Sequence, residues 1–183
     1  MIIVGENLKQ LQKQHHICNS SKCFDDSCLQ LSLGGTIVRL IRSANSEEAV
    51  LSYGDEIPKS FIVEEDISSN GLFLSPKSAV LACSAEKIRM PQGYMGLLQT
   101  KGSLARLFVS LHFSDGQIDP GFEGHVTFEI FNASDFTVHI KKQQMVGNLY
   151  IFKTSTKNTK KYDGRYANSD RPTIQVPEKF IQE

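Results

Sequence analysis

The chain has 183 residues, 40% of them hydrophobic, with 20 basic residues balanced by 20 acidic ones and a formal net charge of zero. That length suits one core with room for small appendages, and the neutral balance gives no support for broad nucleic-acid or membrane-surface binding. No apolar run approaches the ~20 residues that span a bilayer, and the start, MIIVGENLKQ, lacks the basic and long apolar segments of a secretory signal, so a cytoplasmic location is expected.

Gly5 to His16 reads as a short polar helix whose apolar anchors are Leu8 and Leu11. His15, His16, Cys18, Cys23 and Cys28 follow closely, with CxxxxC spacing between the cysteines. Two or three of these with a histidine could build a zinc site. The spacing is not CxxC, however, and Cys28 is expected to open a strand, so buried or free thiols are the plainer expectation.

From Cys28 the pattern turns to strands. Leu29, Leu31 and Leu33 alternate with Gln30 and Ser32, Gly34-Gly35 breaks the run, and Thr36 to Ile41 is β-branched and apolar. Residues 43 to 70 form a polar connection carrying one short strand at Phe61 to Val63. Further strands are expected at Gly71 to Leu74, Ser78 to Ser84 and Tyr94 to Gln99. Runs this short, with turn signals between them, suit an antiparallel β-sandwich or barrel.

The stretch from Gln99 to Asn132 carries the chemistry. Lys101-Gly102-Ser103 is a small-residue turn with a cation, where backbone N–H groups can meet phosphate oxygens. One helical turn would bring Arg106 to the same side. Leu107, Val109, Leu111 and Phe113 then alternate with Phe108, Ser110 and His112, which reads as a strand. Asp119-Pro120-Gly121 is a turn. After it Val126, Phe128 and Ile130 take one strand face and Thr127, Glu129 and Phe131 the other. A carboxylate in mid-strand between Thr and Phe marks either a solvated outer face or a pocket.

Beyond Asn132, strands are expected at Phe136 to Ile140 and Met145 to Phe152. Residues 153 to 171 then hold six lysines and arginines against Asp163 and Asp170, a composition that is by default solvated. The chain has no HxE and no PCxxC, so the ligands of the zinc-hydroxide route to nucleobase deamination are missing. It also lacks GxxxxGK[ST] and GxGxxG, the signatures of a P-loop and a dinucleotide fold.

GSLAR, IDPGFEGH, FEIFN and the later YDGRY resemble, in order and spacing, the motifs of the dCTP deaminase family within the dUTPase-like trimer fold. The resemblance runs from Leu72 to Thr173 and extends back to about Leu29. It implies a mainly β fold, a distorted antiparallel β-barrel or jelly roll with a few short helices, as one domain over residues 1–183. The segment from about 153 to 183 would close over the site, with Tyr162, Arg165 and Tyr166 helping. The implied reaction is hydrolytic deamination of dCTP to dUTP and ammonia in pyrimidine deoxynucleotide metabolism, in a homotrimer with shared sites. A bifunctional variant would continue to dUMP and pyrophosphate.

The resemblance also distributes roles. Glu129 would be the catalytic carboxylate, deprotonating water and returning the proton to the leaving amine, as one Glu can when its pKa is lifted in a closed pocket. Lys101, Gly102, Ser103 and Arg106 would hold the triphosphate and the water network, Arg106 counting among the catalytic residues. Asp119 would meet the deoxyribose 3′-hydroxyl and, in a bifunctional enzyme, activate water for attack on the triphosphate. Phe122 would pack by the sugar and Thr127 beside Glu129. Mg²⁺ is expected on the phosphates, whose charge needs neutralising. Plainer roles stay open: Ser103 as a helix cap, Asp119 as a turn former, Arg106 as an interface partner.

Three departures from the family pattern stand out. Lys101-Gly102 replaces Arg-Ser, losing the bidentate fork and a hydroxyl. Ser114-Asp115 replaces Thr-Ala, placing a second carboxylate where a main-chain carbonyl contacts the base or water. The tail, Ala167 to Thr173, lacks the Gln/Gly-rich pattern before Pro-Thr. The alternatives are therefore a plain dUTP diphosphatase and a catalytically silent nucleotide-binding trimer acting as sensor or regulator.

Overall fold

The computed structural model describes residues 1–42, 50–113, 115–157, 160–164 and 166–174. The predicted positions Arg165 and Ser114, and residues 43–49 of the polar connection, lie outside them. A short strand β1 (Ile2–Ile3) leads into helix α1 (Gly5–His15), whose buried residues are Leu8 and Leu11, the two anchors expected from the pattern. The strands that follow are β2 (Leu29–Leu40), β3 (Ile62–Asp66), β4 (Leu72–Leu74), β5 (Ala79–Arg89) and β6 (Tyr94–Thr100). A single turn of helix, α2 (Gly102–Ala105), separates them from β7 (Val109–Ser110), β8 (Gln117–Ile118), β9 (Glu123–Asn132), β10 (Val138–Ile140) and β11 (Met145–Lys153).

The described strands form a nine-stranded antiparallel sheet in the order β7-β9-β5-β2-β11-β6-β8, with β1 added to β11 and β3 to β2, plus a two-stranded β10-β4 pair. The sheet curls on itself around an aliphatic core. Leu29, Leu31, Leu33, Ile37, Phe128, Ile130, Leu149 and Ile151 are all fully buried within it. The mainly β, antiparallel architecture with a few short helices implied by the resemblance is therefore the one observed.

Two expectations are corrected. Gly34-Gly35 does not break its run: β2 passes straight through it, with a register shift between Leu33 and Ile37 against β5. A Cβ at Gly34 would stand 2.8 Å from the Cys83 carbonyl oxygen, so glycine lets the two backbones approach where the ladder bulges. The buried Glu86 carboxylate bridges the same strands, accepting from the Ser32 N–H at 2.8 Å and its hydroxyl at 2.7 Å. The alternation from Leu107 to Phe113 likewise produces a strand only at Val109–Ser110. Leu107 and Phe108 belong to the turn after α2 and are exposed, with Phe108 at φ +58°. Alternation over a turn of helix and a tight loop mimics a strand when only the sequence is read.

Cys18, Cys23, Cys28 and Cys83 are buried free thiols. Burial pushes Cys28 and Cys83 up to about 11, with Asp25 adding to the effect at Cys28. Among the described residues no three His, Cys, Asp or Glu side chains gather as a metal site, and no helix is long and apolar enough to cross a membrane.

Candidate functional site

Strand β9 is the backbone of the site. Its even-numbered residues, Val126, Phe128 and Ile130, are buried in the core, which turns Thr127 and Glu129 to the opposite face. Leu81 of β5 stands opposite Glu129 in the ladder, and Cys83 opposite Thr127. The Glu129 carboxylate is anchored from the facing loop, where the Phe113 N–H donates to Oε2 at 2.9 Å. The Glu129 N–H in turn donates to the Leu111 carbonyl at 3.0 Å. Glu129 is half-buried at the wall of a cavity of about 550 Å³.

The IDPG turn also lines that cavity. Gly121 adopts φ +85° and the Phe122 N–H reaches back to the Asp119 carbonyl at 3.1 Å, so the turn presents Asp119 and Phe122 together. Gln117 Nε2 donates to Asp119 Oδ1 at 2.6 Å and holds that carboxylate in place. Asp115 stands on the same wall, its Oδ1 3.4 Å from the Gln117 N–H. The Phe122 ring, 9% exposed, tilts against Tyr162 with centroids 5.8 Å apart.

The described tail residues pack onto this turn and onto the start of β9. The Tyr162 N–H donates to the Pro120 carbonyl at 3.0 Å, the Asn168 N–H to Glu123 at 2.7 Å, and the His125 N–H to Ser169 at 2.9 Å. Tyr162, Tyr166 and Thr173 thereby line the cavity, and burial raises the Tyr162 hydroxyl above its ordinary pKa. Gly124, at φ +150°, permits the contact: a Cβ there would lie 3.1 Å from the Ser169 nitrogen.

Of the residues singled out by sequence, Glu129, Asp119, Asp115, Phe122, Thr127 and Tyr162 meet in this one cavity. Lys101, Gly102, Ser103 and Arg106 are not among the described residues that line it. They occupy α2 and its ends, on an exposed face, and Arg106 borders a separate depression with Phe108 and Phe136. Ser103 lies inside the helical turn rather than capping it; the N-cap is Lys101. A Cβ at Gly102 would stand 3.5 Å from Arg106 Nη1, so the guanidinium folds back over the glycine.

Sequence reasoning missed Gln117, His125 and Tyr53, which also line the cavity. Two were legible in principle. His125 falls on the same β9 face as Thr127 and Glu129, and Gln117 shares a face with Asp119. Tyr53 lies in a polar connection with no periodicity to flag it.

A family model described as dCTP deaminase-like matches residues 2–154. The chain belongs to that family. A relative from Beutenbergia cavernae, named dCTP deaminase, dUMP-forming, is 32% identical over 159 residues, covering 82% of either chain. Another of the same name, from Methanospirillum hungatei JF-1, is 32% identical over 131 residues and 70% of its length. One from Nanoarchaeum equitans is 34% identical over 102 residues, and this chain spans about half of it, 52%. Among solved structures, 2′-deoxycytidine 5′-triphosphate deaminase from Agrobacterium tumefaciens superposes with a TM-score of 0.61 at 16% identity. The match covers 82% of this chain and 47% of that one, which establishes the common fold.

Proposed function

We propose that the protein deaminates dCTP to dUTP and ammonia and then hydrolyses dUTP to dUMP and pyrophosphate. The observation that carries this reading is the convergence of Glu129 and Asp119, from different elements, on one cavity. The three relatives described above, each named dUMP-forming, support the second step.

In the first step the Glu129 carboxylate takes a proton from water, and the oxygen adds to C4 of cytosine. The proton then passes from Glu129 to N4, the C4–N4 bond breaks and ammonia leaves, while the hydroxyl proton left on the added oxygen moves to N3, so that C4 becomes the uracil carbonyl. The Phe113 N–H fixes one carboxylate oxygen, and the other would face the water. In the second step Asp119 activates a water for attack on the triphosphate, with Gln117 holding its carboxylate and Phe122 against the sugar. Mg²⁺ would neutralise the phosphates. It would arrive on the nucleotide, and Asp115 and Asp119 are cavity carboxylates that could meet it.

Lys101, Gly102, Ser103 and Arg106 would bind the triphosphate of a neighbouring subunit's site in a homotrimer, which accounts for their placement away from the cavity of their own chain. One observation favours a second reading, a silent nucleotide-binding trimer: Gly102 offers no hydroxyl to a water, and Arg106 lies over it.

The test is to incubate the protein with dCTP and Mg²⁺ and separate the nucleotides by anion exchange. Appearance of dUMP and pyrophosphate is the expected result. Glu129→Gln is expected to slow deamination by about 10²–10⁴-fold while nucleotide binding persists. Unchanged dCTP and unchanged dUTP would overturn the enzymatic reading in favour of the silent trimer.

A further inference from the structure

Glu129 stands between two cavities. Besides the one that holds Asp119 and Phe122, it borders a second of about 660 Å³, and Tyr53 and Leu81 line both. The second cavity is walled chiefly by Val38, Leu40, Leu51, Ala79, Leu81 and Phe113. The ladder explains this composition. Val38 of β2 stands opposite Leu81 of β5, Leu81 opposite Glu129, and Ala79 opposite Phe131, so one continuous apolar face runs up to the carboxylate. Leu40, Leu51 and Phe113 are 49%, 45% and 58% exposed, leaving apolar surface beside the site uncovered.

We propose that this cavity is a subsite for a substituent at C5 of the base, so that the site accepts C5-alkylated cytosine deoxynucleoside triphosphates as well as dCTP; this rests on the deaminase reading above. The base has two unlike edges. N3 and O2 need hydrogen-bond partners, whereas C5–H and C6–H do not, and a polar edge set against an apolar wall is penalised. Asp115 to Gln117 contribute polar lining, and Leu81, which lines both cavities, contributes apolar lining where the second cavity begins. With C4 at Glu129, the polar edge faces Asp115 to Gln117 and C5 faces Leu81. C5 is bonded to C4, so its substituent leaves the ring beside Glu129, where the two cavities meet.

The experiment compares dCTP, 5-methyl-dCTP and 5-(1-propynyl)-dCTP as substrates of the full chain, and as competing ligands for the Glu129→Gln variant. The propynyl compound is expected to keep kcat/KM and affinity within about threefold of dCTP, since the cavity takes its added carbons without displacing protein. Ala79→Trp, which fills the subsite from the strand position beyond Leu81, is expected to weaken the propynyl compound about tenfold or more, and to leave dCTP within about twofold. Deamination of dCTP with rejection of the propynyl compound would overturn the subsite and leave the enzymatic reading standing; that is the outcome if a second copy of the chain covers this face. Equal effects of Ala79→Trp on both nucleotides would also overturn it. Failure of dCTP both to react and to bind would dismiss the nucleotide reading, and the subsite with it.

Discussion

Gln117 is the residue on which the Asp119 carboxylate depends, through a short hydrogen bond at 2.6 Å. An acceptor-only carboxylate in a half-open cavity has several orientations, and a side-chain amide donor selects one. The two proposed chemistries then separate cleanly between carboxylates. Glu129 is held by a backbone N–H and would serve the base, while Asp119 is held by a side chain and would serve the sugar and triphosphate. Asp119→Asn is therefore expected to abolish pyrophosphate release and leave dUTP to accumulate from dCTP. An unchanged pyrophosphate yield by a coupled phosphate assay would refute that role.

At the scale of elements, the decisive contact is the one between the tail and the start of β9. Glu123 is pinned to β5 by Arg89 at 3.0 Å and Lys87 at 3.1 Å, and the Arg89 and Lys87 partners hold its carboxyl below the usual range. The β9 backbone at Glu123 and His125 is thereby fixed while it exchanges hydrogen bonds with Asn168 and Ser169. Gly124 sits between these two bonds at a φ that side-chain-bearing residues avoid, and a methyl group would press on the Ser169 backbone. Gly124→Ala is expected to release the tail and cost about 1–3 kcal/mol of local stability. Limited trypsin digestion should then cut faster at Lys160 and Lys161 with the barrel intact; an unchanged cleavage rate would show that the tail is held elsewhere.

At the scale of the whole molecule, the cavity and the α2 cluster face different surroundings in one chain. A site assembled across a homotrimer would reunite them, each subunit giving Lys101, Ser103 and Arg106 to its neighbour's Glu129 and Asp119. Complementation follows. Arg106→Ala and Glu129→Gln should each be inactive alone, and mixing them after unfolding should restore about a quarter of wild-type activity, because random trimers then contain sites with both residues intact. A mixture as inactive as its components would place the two residues in a single chain's site.

The local chemistry of the motifs and the period of the strands were legible from residues alone. The two faces of β9, the turn at Asp119 and the anchors of α1 follow from alternation, φ preference and helical spacing, all short-range. The barrel and the family came through motif order rather than through periodicity. Short-range signals failed where two strands meet. Gly34-Gly35 reads as a break in isolation, and only the close approach of Cys83 makes it the middle of a twelve-residue strand. The same limit applies to the apolar wall beside Glu129. Val38, Ala79 and Leu81 are ordinary core-like residues in the sequence. Their register across β2, β5 and β9, set by long-range pairing and a bulge, is what turns them into one surface next to the carboxylate.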